Sequence, residues 1–205
     1  GDLDGDGDDD LIVGTQNGDL LYLQNTAGVG NTYAFAPPIF EYADIDVGDN
    51  AKPQLVDLNR DGLLDIIIGE RNQNENPFNE AKLGNINYFE NQGSVTSPVF
   101  DADVNALPNT PTLGGVVTRV IQESFSGSAA PTFIDTGSDY ILYTGSESGR
   151  MKVYQNVVDS IYGAFTLVSD RVVALDEGKR NTIAIGDLDN DGFLDLVIGN
   201  QRGGL

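Results

Sequence analysis

The sequence predicts an all-β fold in which one strand-rich unit is written about four times, and two observations predict it. Residues 186–205, GDLDNDGFLDLVIGNQRGGL, lie without a gap over residues 1–20, GDLDGDGDDDLIVGTQNGDL, with 12 of the 20 positions identical. Short aliphatic runs recur behind each aspartate-rich stretch, with no capped helical spacing between them. Recurrence of this kind marks a repeat architecture before any single residue is interpreted.

The first unit, about residues 1–50, opens on the aspartates at 2–10. It then runs along Leu11-Ile12-Val13, turns between Gly14 and Gly18, and returns along Leu20-Leu21-Tyr22-Leu23-Gln24-Asn25. The second unit, about 51–128, sets Lys52 to Val56 before an aspartate loop at 57–65, follows with Ile66-Ile67-Ile68, and returns along Ile86 to Asn91. Its two glycines are spread to Gly69 and Gly84, so an insertion lies within residues 70–83. The third unit, about 129–180, keeps Ala130 to Asp135, but its loop shrinks to Thr136-Gly137-Ser138-Asp139 before Tyr140 to Gly145 and the returning Met151 to Asn156. The fourth, about 181–205, repeats the opening and is incomplete. Variable stretches such as Ser97 to Phe100 and Phe165 to Val168 supply a further strand.

Glycines four residues apart read as tight turns between strands. The runs Leu11-Ile12-Val13, Ile66-Ile67-Ile68 and Leu196-Val197-Ile198 lack clean alternation, as strands buried on both faces do. Four short strands per unit, stacked face to face around an axis, is the β-propeller solution to the sheet-edge problem. About three complete four-stranded blades plus a partial one are expected, with a parallel β-helix or a string of sandwiches as the weaker alternatives. Open edges would remain, so missing blades or a second copy are expected to complete the ring. The opening inside a motif, Gly1-Asp2-Leu3-Asp4, is that of an excerpt from a longer protein.

Composition narrows the chemistry. A 205-residue chain with 40% hydrophobic residues can bury a core. Its formal charge of −21, from 32 acidic and 11 basic residues, disfavours nucleic acid or an anionic membrane surface as partner. Absence of cysteine removes disulfides and thiolate sites, and absence of histidine removes the usual general base and transition-metal ligand. No apolar run approaches the length of a membrane-spanning helix. The remaining scattered carboxylates, Glu70, Glu75, Glu80 and Glu123, read as solvated surface charges, and the chain is expected not to be an enzyme.

Three loops share the spacing D-x-[DN]-x-D-G-x-x-D: Asp2, Asp4, Asp6 and Asp10; Asp57, Asn59, Asp61 and Asp65; Asp187, Asp189, Asp191 and Asp195. A hard cation such as Ca²⁺ takes about six to eight oxygens at about 2.3–2.6 Å. Positions 1, 3, 5 and 9 can wrap one ion if the glycine at position 6 turns the chain, and the backbone carbonyl at position 7 (Asp8, Leu63 or Phe193) adds a ligand. Three Ca²⁺ sites are therefore expected. The shortened loop lacks the position 3 and 5 oxygens, so Asp135 and Asp139 read as plain turn residues and no ion is expected there. An EF-hand would carry a further oxygen ligand at position 12, where this chain has Val13, Ile68 and Ile198.

The ninth-position aspartate followed by an apolar strand and a glycine resembles the FG-GAP or VCBS repeat, the unit of the integrin α-subunit propeller and of many secreted bacterial proteins. The resemblance implies a calcium-stiffened propeller, commonly seven-bladed, at the cell surface or secreted, in which ions brace hairpins away from the loops that meet a partner. It also implies a non-catalytic adhesion module whose partner is an extracellular protein or a glycan. The alternative is a carbohydrate-binding or accessory domain of a polysaccharide-active enzyme, with Phe78 or Tyr33 stacking on a sugar.

Overall fold

The computed structural model describes residues 1–71, 84–102, 112–120, 126–172 and 178–201. It holds four antiparallel sheets in chain order: β1 (Leu11–Gly14) with β2 (Leu20–Leu23); β3 (Lys52–Val56), β4 (Asp65–Gly69) and β5 (Ile86–Phe89); β6 (Ala130–Asp135), β7 (Tyr140–Gly145), β8 (Lys152–Gln155) and β9 (Thr166–Ser169); β10 (Thr182–Gly186) with β11 (Asp195–Gly199). Every pairing joins strands consecutive in the chain, which is the up-and-down order a propeller blade uses and a parallel β-helix cannot.

The expectation of four strands in each full unit holds only for the third. In the first, the outer positions shrink to the isolated bridges Tyr22↔Ile39 and Asn25↔Phe35, and in the second to Asn91↔Phe100. Proline explains this. Pro37 and Pro38 precede Ile39, and Pro98 stands two residues before Phe100, so these edges lack backbone donors that a continuous ladder needs. The stretch that forms β9 has no proline.

Strand β4 explains the unalternating apolar run. Ile67 packs among Leu142, Phe133 and Tyr154 toward the third sheet, whereas Ile66 and Ile68 pack with Leu20, Ile45 and Phe89 toward the first. All three are fully buried, so a period of two is present but both faces are core. Each side chain contributes about 2 kcal/mol of burial. β1 and β11 do not share this environment: Leu11 and Val197 are exposed, so burial on both faces is a property of the middle of the array.

The turns expected between the paired glycines lie at residues 16–17 and 147–148, and the first glycine, at the strand end before each, has a further role. A Cβ on Gly69 would lie 2.5 Å from the Ala129 carbonyl oxygen, and Gly14 and Gly145 face the Ala51 and Asn181 carbonyls in the same way. Each unit's second strand thus ends where the next unit begins, and only a residue without a side chain lets the backbones meet. Hydrogen bonds stitch the seam: Ala51 N–H donates to Thr15 O at 3.0 Å, Ala129 N–H to Glu70 O at 2.9 Å, and Asn181 N–H to Ser146 O at 3.3 Å. The residue before each donor, Asn50, Ser128 or Arg180, takes the left-handed conformation with φ of 53°, 50° and 57°. One connector geometry is therefore built three times.

Candidate metal sites

Each aspartate loop closes a hairpin in one register. Val56 pairs with Asp65 and Gly186 with Asp195, and Gly1 exchanges two backbone hydrogen bonds with Asp10. The first and last residues of the loop are thereby held across from each other, and the intervening chain must fold back. Position 6 makes this fold possible: Gly7, Gly62 and Gly192 have φ of 92°, 89° and 88°, a region that favours glycine.

The lead aspartate organises the loop from inside. Asp2, Asp57 and Asp187 each accept the N–H of the position 6 glycine, at 3.0, 3.0 and 2.9 Å. Position 5 is tied one turn later, where Asp6, Asp61 and Asp191 accept the N–H of Asp8, Leu63 and Phe193. These bonds leave the position 7 carbonyls of Asp8, Leu63 and Phe193 on a chain segment already fixed by the loop.

Two loops bring carboxylate oxygens together. Asp2, Asp4 and Asp10 place one oxygen each within 4.8 Å of one another, and Asp187, Asp189 and Asp195 do the same. Asp6 and Asp191 are not in these groups, so positions 1, 3 and 9 converge while position 5 points to the backbone. One oxygen of Asp2, Oδ1, is buried without a hydrogen-bond partner. A buried carboxylate oxygen with no donor is the environment a hard cation satisfies, so the donor set of the first loop fits Ca²⁺.

The comparisons with known proteins bear on the same loops. Residues 2–68 match the family model described as an FG-GAP-like repeat, and residues 180–204 match the one described as the FG-GAP repeat. These two segments of the chain are FG-GAP repeats. No curated protein and no solved structure matches it. FG-GAP repeats are generally involved in adhesion or ligand interaction, are typical of extracellular proteins and often bind calcium. Among the described residues, no helix is long and apolar enough to cross a membrane.

The middle FG-GAP loop is built differently at position 3, and here the structure shows a residue that spacing alone does not. Asn59 Nδ2 donates to Asp61 Oδ2 at 2.9 Å and to Glu90 Oε1 at 3.1 Å. In the first loop the equivalent strand-end residue is Gln24, whose Nε2 donates to Asp4 Oδ2 at 2.6 Å. An acid and an amide face each other in both loops with their places exchanged, so the second loop recovers through Glu90 the carboxylate that Asn59 lacks. Glu90 stands one residue before the recurrent strand-end asparagine, Asn91.

The ninth-position aspartate is also a structural hub. Asp65 is fully buried and accepts Leu58 N–H at 3.1 Å, Asn91 N–H at 2.9 Å and Tyr88 O–H at 3.1 Å. Asp10 repeats the set with Leu3, Asn25 and Tyr22. Burial pushes the Asp65 carboxyl up to about 6, against the pull of its three donors. Asp195 accepts Leu188 N–H at 2.9 Å and is less enclosed, and Leu188 is 69% exposed where Leu3 and Leu58 are buried.

The shortened loop corrects one expectation. Asp139 is not a plain turn residue: it accepts the backbone N–H groups of Asn156, Val157 and Val158, the role of the ninth-position aspartate. Asp135 is met by a protein cation. Arg60, from position 4 of the second loop, reaches it at 2.7 Å and lies 4.5 Å over the ring of Tyr140. That pairing holds the Asp135 carboxyl below its ordinary range. Glu70, expected at the surface, is buried, while Glu75, Glu80, Glu123 and Phe78 lie outside the described residues.

Proposed function

We propose that this chain is a non-catalytic, calcium-stiffened extracellular module for adhesion or ligand interaction. The observation that carries the reading is the convergence of positions 1, 3 and 9 in two separate loops of one geometry, with a third loop sharing their hairpin register. Three loops bind Ca²⁺ in this reading. The shortened loop of the third unit is served by Arg60. The clustered carboxylates are committed to loop structure, which leaves no convergent acid and base among the described residues. Leu196 lines a cavity with Ile134 and Tyr143 of the third sheet, so the exposed Val197 points to the opposite face of β11, on which a further blade, from the same protein or another copy, would pack.

Calorimetric titration with calcium, and melting followed in calcium and in chelator, test this reading. Three sites are expected. With dissociation constants on the order of 10⁻⁴ to 10⁻³ M and calcium near 10 mM, each site adds about 1.4–2.7 kcal/mol by mass action. Together they raise the melting temperature on the order of 10 °C or more. No heat and no shift would overturn the calcium assignment.

A carbohydrate ligand is a second reading, favoured by one observation. Tyr33 is 64% exposed and stacks on Phe35 with ring centroids 5.8 Å apart and planes within 6°. A flat aromatic platform in solvent suits the apolar face of a sugar. Binding on a glycan array that is lost in Tyr33→Ala would support it, and silence of the native protein across the array would remove it.

A further inference from the structure

At the strand ends opposite the aspartate loops, cations gather. Lys52 opens β3, Arg71 follows Gly69 by two residues, and Arg180 precedes β10 by two, so three of the chain's 11 basic residues come from the connectors and hairpin ends of successive units. The two arginines converge on one carboxylate. Arg180 Nε donates to Glu147 Oε1 and Oε2 at 3.1 and 3.0 Å, and Arg71 Nε stands 3.6 Å from Glu147 Oε2. Ser126 Oγ donates to the same carboxylate at 3.2 Å. Lys52 Nζ donates to Ser128 Oγ at 2.8 Å and to Ser128 O at 3.3 Å. The Lys52 ammonium is lowered to about 8, by burial first, with Glu147 opposing and Arg180 and Arg71 adding to the fall, so all four groups share one electrostatic field.

Three cations thus surround one carboxylate in a partly buried place. Arg71 Nε is buried and has no hydrogen-bond acceptor among the described residues. The guanidinium side chains stay reachable, at 21% exposure for Arg71 and 37% for Arg180. The acidic loops do not cancel this field. The five residues of β3, at about 3.3 Å each, set the cluster about 16 Å from the loop, roughly two Debye lengths at physiological ionic strength.

We propose that Lys52, Arg71 and Arg180 form a binding site for a dianionic oxyanion, with a dicarboxylate as the ligand class. Two guanidinium groups present N–H donors to carboxylate oxygens, the ammonium supplies the third charge, and Glu147 holds the arginines in place. The site is independent of the metal loops.

Malonate is the probe. Melting of the intact chain is followed against malonate at constant ionic strength and constant free calcium, with sodium chloride as the matched salt. A saturable rise that chloride does not give is expected. Lys52→Met, which leaves the Arg–Glu147 pairs intact, is expected to weaken the apparent affinity about tenfold, and Arg71→Gln to do likewise. Equal responses to malonate and chloride would overturn the site. So would unchanged affinity in a folded Lys52→Met or Arg71→Gln protein.

Discussion

Asp65→Ala is expected to lower stability by about 4 kcal/mol or more, in chelator as well as in calcium. The carboxylate meets three donors, Leu58 N–H, Asn91 N–H and Tyr88 O–H, in a place with no solvent exposure. Truncation leaves all three without a partner, and each unpaired buried donor costs about 1–3 kcal/mol. A domain whose whole margin is about 5–15 kcal/mol is left close to unfolding. Asp61→Ala is the comparison. Asp61 is exposed and accepts Leu63 N–H and the Asn59 amide, so its loss in chelator is expected to stay near 1 kcal/mol while the increment from calcium at that loop disappears. Urea unfolding of both variants, with and without calcium, separates hub from ligand. Identical profiles for the two would show that Asp65 serves only as a ligand.

The pH dependence follows with a definite sign. Because the folded Asp65 carboxyl is raised to about 6, above its ordinary value near 4, the folded state holds the proton longer. In chelator this group therefore makes stability fall as pH rises through that window. With calcium bound the ionised form is required, and the trend reverses.

The loops were legible in the sequence because their chemistry is local. Nine residues carry the ligand positions, and a fixed hairpin register preserves their spacing. The strand-end asparagine was visible as a recurrence, but its use was not, since the Asn91 N–H meets Asp65 across 26 residues. Glu90 was hidden for the same reason: it reaches Asn59 from the neighbouring strand, and only the exchange with Asp4 and Gln24 gives it meaning. The Arg71, Glu147 and Arg180 cluster has no spacing signature, because Arg71 comes from one unit and Glu147 and Arg180, 33 residues apart, from the next. The turn between the paired glycines is where the spacing puts it, but the second role of the first glycine was hidden, because a glycine that flanks a turn and one that permits close approach of two backbones look alike in a single chain.

That last distinction supplies a second large effect. Gly69→Ala is expected to cost about 3 kcal/mol or more, and Gly145→Ala a similar amount, while Gly199→Ala stays within about 1 kcal/mol. At Gly69 the added methyl carbon meets the Ala129 carbonyl oxygen at 2.5 Å and the ring of Pro131, so the neighbour that must give way is backbone and a rigid ring. Relief requires the second and third sheets to separate at the seam where Ala129 N–H bonds to Glu70 O, which loosens the packing of Ile67 against Phe133 and Leu142. At Gly199 the nearest atom is the Thr182 hydroxyl at 3.1 Å, a side-chain group that can rotate aside. None of the three takes a left-handed φ, so the contrast isolates close approach from backbone conformation. Denaturant melts of the three variants measure it. Equal losses at Gly69 and Gly199 would mean that the glycines act through the flexibility of their own strands, whereas the expected split places their role at the contact between successive units.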